Sequence, residues 1–322
     1  MTIKIFKVLP MQYTPFVLKD ELEFFKNQGI EMTEDIGLAD IILASNLRVL
    51  RPLRIAYRKK KKYLVWTSEP RFDVTFKKID RGFFLMGDAQ IMNIYTGDIF
   101  INNFTLPFFD DFYREYWKEF LKPLDKFNFT GLDNRKIVIV AGYRNNQKTT
   151  SLKRADKELD LLYIRTQIAL AGYQLGKVDI YGPGWPDNIS LESSRKGDYI
   201  SRKVEILKPY NFNLCFENTN FDYYCTEKIW DSIRCYCLPI YFGQGNKIYE
   251  DFPKNSFIDY SEFSSPKNLF DYVNAMTEQE FFTRMNLCIN TYNTIHEKLK
   301  SVNRYEEFLL STVRRIKEIM AS

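Results

Sequence analysis

The chain holds a single histidine, His296, and only five cysteines among 322 residues. That scarcity argues against a zinc site. The closest cysteine pair, Cys235 and Cys237, is C-x-C rather than C-x-x-C, and His296 lies far from it in an apparently helical tail. An odd cysteine count without a secretory leader also excludes a disulfide framework and predicts reduced, buried thiols. Uncharged runs fall well short of the roughly 20 residues that a membrane helix requires, so no transmembrane span is expected. The first residues, "MTIKIFKVLP", lack a long apolar h-region and read as a β-strand. Together these absences predict a cytoplasmic protein. No internal repeat occurs, and the only biased segment is the basic run Arg58 to Lys62.

What the sequence does contain is the material of a folded protein. Hydrophobic residues make up 45% and aromatics 16%, too apolar for disorder. A length of 322 residues favours two domains, each with its own core. The net charge of +5 suits an anionic ligand and allows peripheral association with an anionic membrane, but it is too mild to indicate nucleic-acid binding.

Along the chain, apolar strand-like runs alternate with amphipathic ones. "IKIFKVL", "ELEFFKNQG", "ADIILAS" and "YLVWTSEP" form one series. "KIVIVAG", "LLYIRTQIALAGY", "KVDIYG", "FNLCFEN", "TEKIWDSIRCY" and "LPIYFG" form a second. Such alternation signals βα units and mainly parallel sheets, hence two Rossmann-like halves. The aperiodic "KPLDKFNFTGLDNR" is the linker candidate. We therefore expect domains at residues 1–130 and 131–302, with a helix over 303–322 that packs back across the linker.

In an open α/β sheet, ligands bind beyond the carboxyl ends of the strands, where helix amino termini offer unpaired N–H groups. "FENTNFDYYCTEK" leaves a strand at Glu217 and enters a helix near Thr226, a candidate N-cap. Lys228 then falls in the first helical turn, where a cation opposes the helix dipole unless an anion is nearby. A bound phosphate would resolve that conflict, and Glu227 beside it could accept hydrogen bonds from two sugar hydroxyls. The alternative is a solvated Glu–Lys pair on an exposed turn.

Phe216-Glu217-Asn218, the run Asp222 to Lys228, Pro239 to Gly243, Tyr249-Glu250, Pro253, Ser256-Phe257-Ile258 and Phe263-x-x-Pro266 extend this signal over about sixty contiguous residues. The stretch resembles the donor-binding half of the α1,3-fucosyltransferases of glycosyltransferase family 10. The resemblance implies an α/β GT-B fold, two Rossmann-like domains facing a cleft, with the nucleotide sugar in the carboxyl-terminal one. It implies that Glu227 and Lys228 hold the ribose and diphosphate of GDP-fucose, with Asn218 and Tyr224 lining the same pocket. The family's phosphate-binding arginine stands 13 residues before a Val-Asp pair, as Arg165 does before Val178-Asp179. Arg165 nevertheless lies 23 residues past "KIVIVAG", further than the family norm, so Arg154 competes for the role.

Inversion at the anomeric carbon needs a general base to take the acceptor hydroxyl's proton. Glu69 in "LVWTSEP", at the end of a predicted strand, resembles the family's catalytic glutamate, although the order here is Ser-Glu-Pro rather than Glu-Ser-Pro. A carboxylate capping the turn before Pro70 is the plainer alternative. With Lys228 and an arginine to neutralise the diphosphate, no metal and no other cofactor is required. The adjacent Asp110 and Asp111 lack Asp-x-Asp spacing and read as a turn or helix cap. The aromatic cluster "FFDDFYREYW" reads as packing before it reads as an acceptor groove.

The expected activity is inverting transfer of L-fucose from GDP-fucose to a hydroxyl of a glycan acceptor. The alternatives are a GT-B transferase using another GDP-sugar such as GDP-mannose, or a non-catalytic glycan- or nucleotide-binding module. No nucleic-acid partner is expected. Without the amino-terminal anchor of the family's Golgi members, a bacterial or viral cytoplasmic enzyme is expected, in solution or peripheral to the inner face of a membrane.

Overall fold

Short apolar runs separated by polar loops build two parallel sheets. The computed structural model describes residues 2–11, 14–72, 77–83, 85–92, 119–129, 131–194, 198–300 and 304–322. By its internal contacts the chain forms two units, Met1–Trp117 with Leu299–Ser322, and Lys118–Lys298. The segment 108–117, with Asp110, Asp111 and the aromatic cluster, lies outside the described residues.

The first unit runs β1 (Ile3–Lys7), α1 (Lys19–Asn27), β2 (Ile30–Thr33), β3 (Ile41–Ala44), α2 (Leu47–Tyr57), β4 (Lys62–Trp66), β5 (Ile79–Asp80) and β6 (Ala89–Met92). Helix α2 begins where Asn46 accepts a hydrogen bond from the Val49 N–H at 3.0 Å, a side-chain N-cap. The strand order is β2-β1-β3-β4-β6-β5, parallel throughout except for β5, which pairs antiparallel with β6.

The second unit runs β7 (Ile137–Val140), α3 (Gln147–Thr150), β8 (Lys153–Arg154), β9 (Lys157–Glu158), α4 (Leu162–Gln174), β10 (Val178–Tyr181), α5 (Tyr199–Leu207), β11 (Phe212–Leu214), α6 (Glu227–Arg234), β12 (Leu238–Tyr241), β13 (Ile258–Asp259), α7 (Pro266–Ala275) and α8 (Glu278–Lys300). Its five-stranded sheet has the order β10-β7-β11-β12-β13 and is all parallel. Renumbered from its own first strand this is 2-1-3-4-5, a doubly wound Rossmann-like topology. The α/β class with two Rossmann-like units is thus what the structure shows. The order reverses between β7 and β11, so the carboxyl ends of these two strands diverge into helices on opposite faces of the sheet. The length between β7 and α4 is taken up by α3 and by the β8-β9 hairpin.

The segment after Phe120 is tied to α8 rather than left free. Asn293 and Asn286 each accept a backbone N–H, from Leu121 at 2.9 Å and from Leu124 at 2.7 Å, and each donates back to the same residue's carbonyl. All five cysteines are free and buried, as the composition predicts. His296 is buried on α8, where it stacks on Tyr292.

The last helix, α9 (Arg304–Ala321), belongs to the first unit. The period-2 alternation of β3 and β4 divides their side chains between two layers. Ile41, Leu43, Leu64 and Trp66 face one layer, closed by Phe308, Val313 and Ile316 of α9. Ile42, Ala44, Tyr63 and Val65 face the other, closed by Leu50 of α2. Trp66 meets Phe308 edge-on at 6.2 Å, so the final helix completes the core beneath the strand that leads to Glu69. No helix among the described residues is long and apolar enough to cross a membrane.

Helix α4 packs on β10 through Gly172, where an added Cβ would lie 2.1 Å from Val178 Cγ2 and 2.8 Å from Phe270 Cζ. A helix-interior glycine in open space gains stability on replacement by alanine. Here Gly172→Ala is expected to lose about 1–3 kcal/mol through overpacking. Chemical denaturation of both proteins measures the sign, and an alanine variant as stable as the parent would refute the close approach.

Candidate functional site

The fork between β7 and β11 is the natural place for a ligand in this topology. A small pocket of about 30 Å³ opens there, lined among others by Val140 at the end of β7, Phe216 just past β11, Arg165 of α4, Lys203 of α5 and Glu227 and Lys228 of α6. Three residues expected from the sequence, Arg165, Glu227 and Lys228, therefore meet at one site.

Their burial removes the reading of a solvated pair on an exposed turn. The Glu227 side chain is 12% exposed and that of Lys228 25%. Thr226 occupies the N-cap position of α6, but its hydroxyl makes no capping bond, which corrects the expected role. The reason is Glu217, a carboxylate only 1% exposed that stands opposite the helix start. It accepts the Thr226 N–H at 2.7 Å, the Thr226 hydroxyl at 2.7 Å and the Lys228 ammonium at 2.9 Å. The Thr226 hydroxyl in turn accepts from Lys228 at 2.6 Å. The anion that a cation in the first turn requires is thus already built into the protein.

A second chain of charge runs along the inner face of α6. Lys203 bonds Asp231 at 2.6 Å and lies 3.7 Å from Glu227, which is itself 3.5 Å from Lys228. Burial alone would raise the Glu227 carboxyl, but Lys228 and then Lys203 hold it well below the usual carboxylate range. Burial alone would likewise lower the Lys228 ammonium, but Glu217 first and Glu227 second push it above the ordinary lysine value. Both groups are ionised at neutral pH. At Asp231 burial wins and the carboxyl is raised in spite of Lys203.

Arg165 is 8% exposed and donates to the Phe216 carbonyl at 3.0 Å, which joins α4 to the end of β11. Burial pushes its guanidinium down against the pull of Glu217 and Asp160, yet a guanidinium remains charged. Its Nε is buried and has no hydrogen-bond partner among the described residues, and the same holds for Asn213 Oδ1 in the same wall. These two groups leave one donor and one acceptor in the pocket wall for a polar ligand or a water molecule.

Arg154 lies elsewhere, exposed on the β8-β9 hairpin with its guanidinium over the Phe221 ring at 5.2 Å. Asn218 accepts the Thr219 hydroxyl at 2.8 Å, and its carbonyl accepts the Leu161 N–H at 3.2 Å. Tyr224 is buried and within electrostatic reach of Arg165. Neither is part of the wall that Arg165, Glu227 and Lys228 share. In the first unit Glu69 is half-buried, three residues past β4, with its N–H on the Thr67 hydroxyl at 3.1 Å. Among the described residues no three His, Cys, Asp or Glu side chains cluster so as to hold a metal ion.

Lys203 and Asp231 escaped the sequence reading, which named Glu217 only as a motif residue at a strand end and gave it no role. Lys203 carried a signal, since Tyr199, Lys203, Ile206 and Leu207 share one helical face and the latter two are buried. A lysine on an apolar face marks a buried charge in need of partners.

The family comparison bears on the same half of the chain. Residues 163–303 match the family model described as glycosyltransferase family 10 (fucosyltransferase) C-term. The alpha-(1,3)-fucosyltransferase FucT of Helicobacter pylori is 36% identical over 103 residues, covering 32% of this chain and 21% of that protein. The 4-galactosyl-N-acetylglucosaminide 3-alpha-L-fucosyltransferase FUT6 of Homo sapiens is 33% identical over 102 residues, covering 31% and 26%. The chain thus matches only 21–26% of the length of these curated relatives. A solved alpha1,3-fucosyltransferase with GDP superposes with a TM-score of 0.49 at 16% identity, over 92% of this chain and 89% of that one.

The geometry predicts strong coupling between Glu217 and Lys228. Lys228→Met strands a buried carboxylate and is expected to cost about 3–5 kcal/mol. Glu217→Gln in the same background recovers part of that loss, giving an interaction energy of at least about 1 kcal/mol in a double-mutant cycle. Urea unfolding of the four proteins measures it, and additive losses would contradict the pairing.

Proposed function

We propose that the protein is an inverting transferase that moves L-fucose from GDP-fucose to a hydroxyl of a glycan acceptor, because residues 163–303 match the family model described as glycosyltransferase family 10 (fucosyltransferase) C-term. The observation that carries this reading is the convergence of Arg165 and Lys228 in one pocket at the β7/β11 fork. A departing GDP gains negative charge as the sugar–oxygen bond breaks, so fixed cations stabilise the transition state more than the ground state.

Each side chain has a role in this proposal. Lys228 spends two of its three N–H donors on Glu217 and Thr226, leaving one for a diphosphate oxygen. Arg165 offers its unpartnered Nε to the same diphosphate. Glu227, kept ionised by Lys228 and Lys203, accepts the ribose hydroxyls. Asn218 and Tyr224 support the donor on the residues that flank this wall. Glu69 acts as general base. As the acceptor oxygen bonds to the anomeric carbon and the bond to GDP breaks, its carboxylate takes the acceptor's proton and GDP leaves with the electron pair. The two cations neutralise the leaving group, so the reaction as proposed needs no divalent ion.

Two outcomes are expected. Arg165→Lys keeps the charge but loses Nε and the planar fork, and GDP affinity measured by calorimetry falls about tenfold or more; unchanged affinity would remove Arg165 from the donor site. In a transfer assay with GDP-fucose against an array of glycans, the parent is active and insensitive to excess chelator. Glu69→Gln loses transfer there and retains GDP binding. Activity with GDP-mannose instead, GDP binding without turnover, or full activity of Glu69→Gln would each overturn the corresponding part of the proposal.

A further inference from the structure

We propose that the first unit carries a docking face for an anionic phospholipid membrane, centred on the exposed side of α2. This face is remote in sequence from the donor pocket and does not depend on the reading of that pocket. Between Asp40 and Glu69 the chain has no acidic residue and eight basic ones. Two of the eight have structural work. Arg54 is 2% exposed and donates to the Gly87 carbonyl at 2.8 Å and to Asp80 at 2.6 Å, and Lys61 donates to the carbonyls of Gly37 and Ala39. Arg48, Arg51, Arg58, Lys59 and Lys60 are exposed.

On α2 the exposed positions 48, 51, 52 and 55 follow helical spacing, opposite the face that buries Leu50 in the core. Ile55 stands in this basic stripe 58% exposed. The bonds of Arg54 and Lys61 fasten two loops to the same end of the helix. In the first loop Phe83 is 81% exposed and Leu85 56%, and in the second, 37–39, Leu38 is 58% exposed. The carbonyl of Arg58 would lie 2.8 Å from a Cβ added at Gly87, so the first loop abuts the basic run. The acids that flank this loop are neutralised in place, Asp80 by Arg54 and Asp88 by Arg81.

Cations alone would suit any polyanion. The four exposed apolar side chains select among them: an interfacial site places aliphatic and aromatic groups among the acyl chains while lysines and arginines stay at headgroup level. A nucleic acid offers Ile55, Leu38 and Leu85 nothing comparable to bury against.

The test is co-sedimentation of the full chain with vesicles of phosphatidylcholine, with and without phosphatidylserine. Binding is expected only with phosphatidylserine and is expected to weaken as salt rises. Replacing Arg58, Lys59 and Lys60 together by glutamine lowers the partition coefficient about 100-fold. Ile55→Asp and Phe83→Asp weaken binding at constant basic charge. All these positions are exposed, so thermal unfolding is expected to match the parent, and Arg165→Lys leaves vesicle binding unchanged. Absence of binding to the anionic vesicles, equal binding to neutral ones, or tighter binding to single-stranded RNA than to vesicles would overturn the proposal.

Discussion

One buried carboxylate holds the carboxyl-terminal site together. Glu217 sits at the exit of β11 with its oxygens committed to Thr226 and Lys228, so the first turn of α6 is fastened to the strand before any ligand arrives. A carboxylate that deep would be costly alone, and it is tolerable because every bond it makes is to a donor of the helix start. The same bonds keep a lysine in a turn whose dipole disfavours it. Strand, helix terminus and cation are therefore one unit. Asn213 extends it by donating to the Ser232 hydroxyl, which bonds back to the Lys228 carbonyl.

Around this anchor, positive and negative groups alternate from Arg165 through Glu217, Lys228 and Glu227 to Lys203 and Asp231. Alternation of this kind stabilises each charge by its neighbours and fixes the side chains in advance of binding. Polar groups already oriented need little reorganisation when charge develops on a ligand, which is the physical basis of electrostatic preorganisation. Arg165 Nε, Asn213 Oδ1 and Asp231 Oδ1 are buried without a hydrogen-bond partner among the described residues, and Arg165 and Asn213 line the pocket.

The first unit is organised by a different constraint, the closing of both faces of a parallel sheet. The amino-terminal strands need α2 on one face and the far carboxyl-terminal α9 on the other, so the two ends of the chain share one core. The loop that carries Glu69 is thereby set on a strand buried on both sides. The exposed side of α2 is left to solvent with its basic and apolar residues together, because the helix needs only one face for the core.

Much of this was legible from the order of residues alone. Continuous β-branched runs such as "KIVIVAG" specify buried parallel strands, helical spacing specifies α6 and α9, and the run from Phe216 to Lys228 marks a strand end feeding a helix start. Those are local properties, set by periodicities of 2 and 3.6 residues. What only the tertiary structure decided is who meets whom. The hairpin between α3 and α4 made the distance from β7 to Arg165 uninformative, and only the fold brings that arginine, and not Arg154, to the fork. Sequence periodicity placed an acid, a threonine and a lysine near one another without revealing that Glu217 would take the threonine's hydroxyl from its capping role. Hydrogen bonds and ion pairs act over about 3 Å, and residues as far apart in the chain as Lys203 and Asp231 come within that range only after the sheet has assembled.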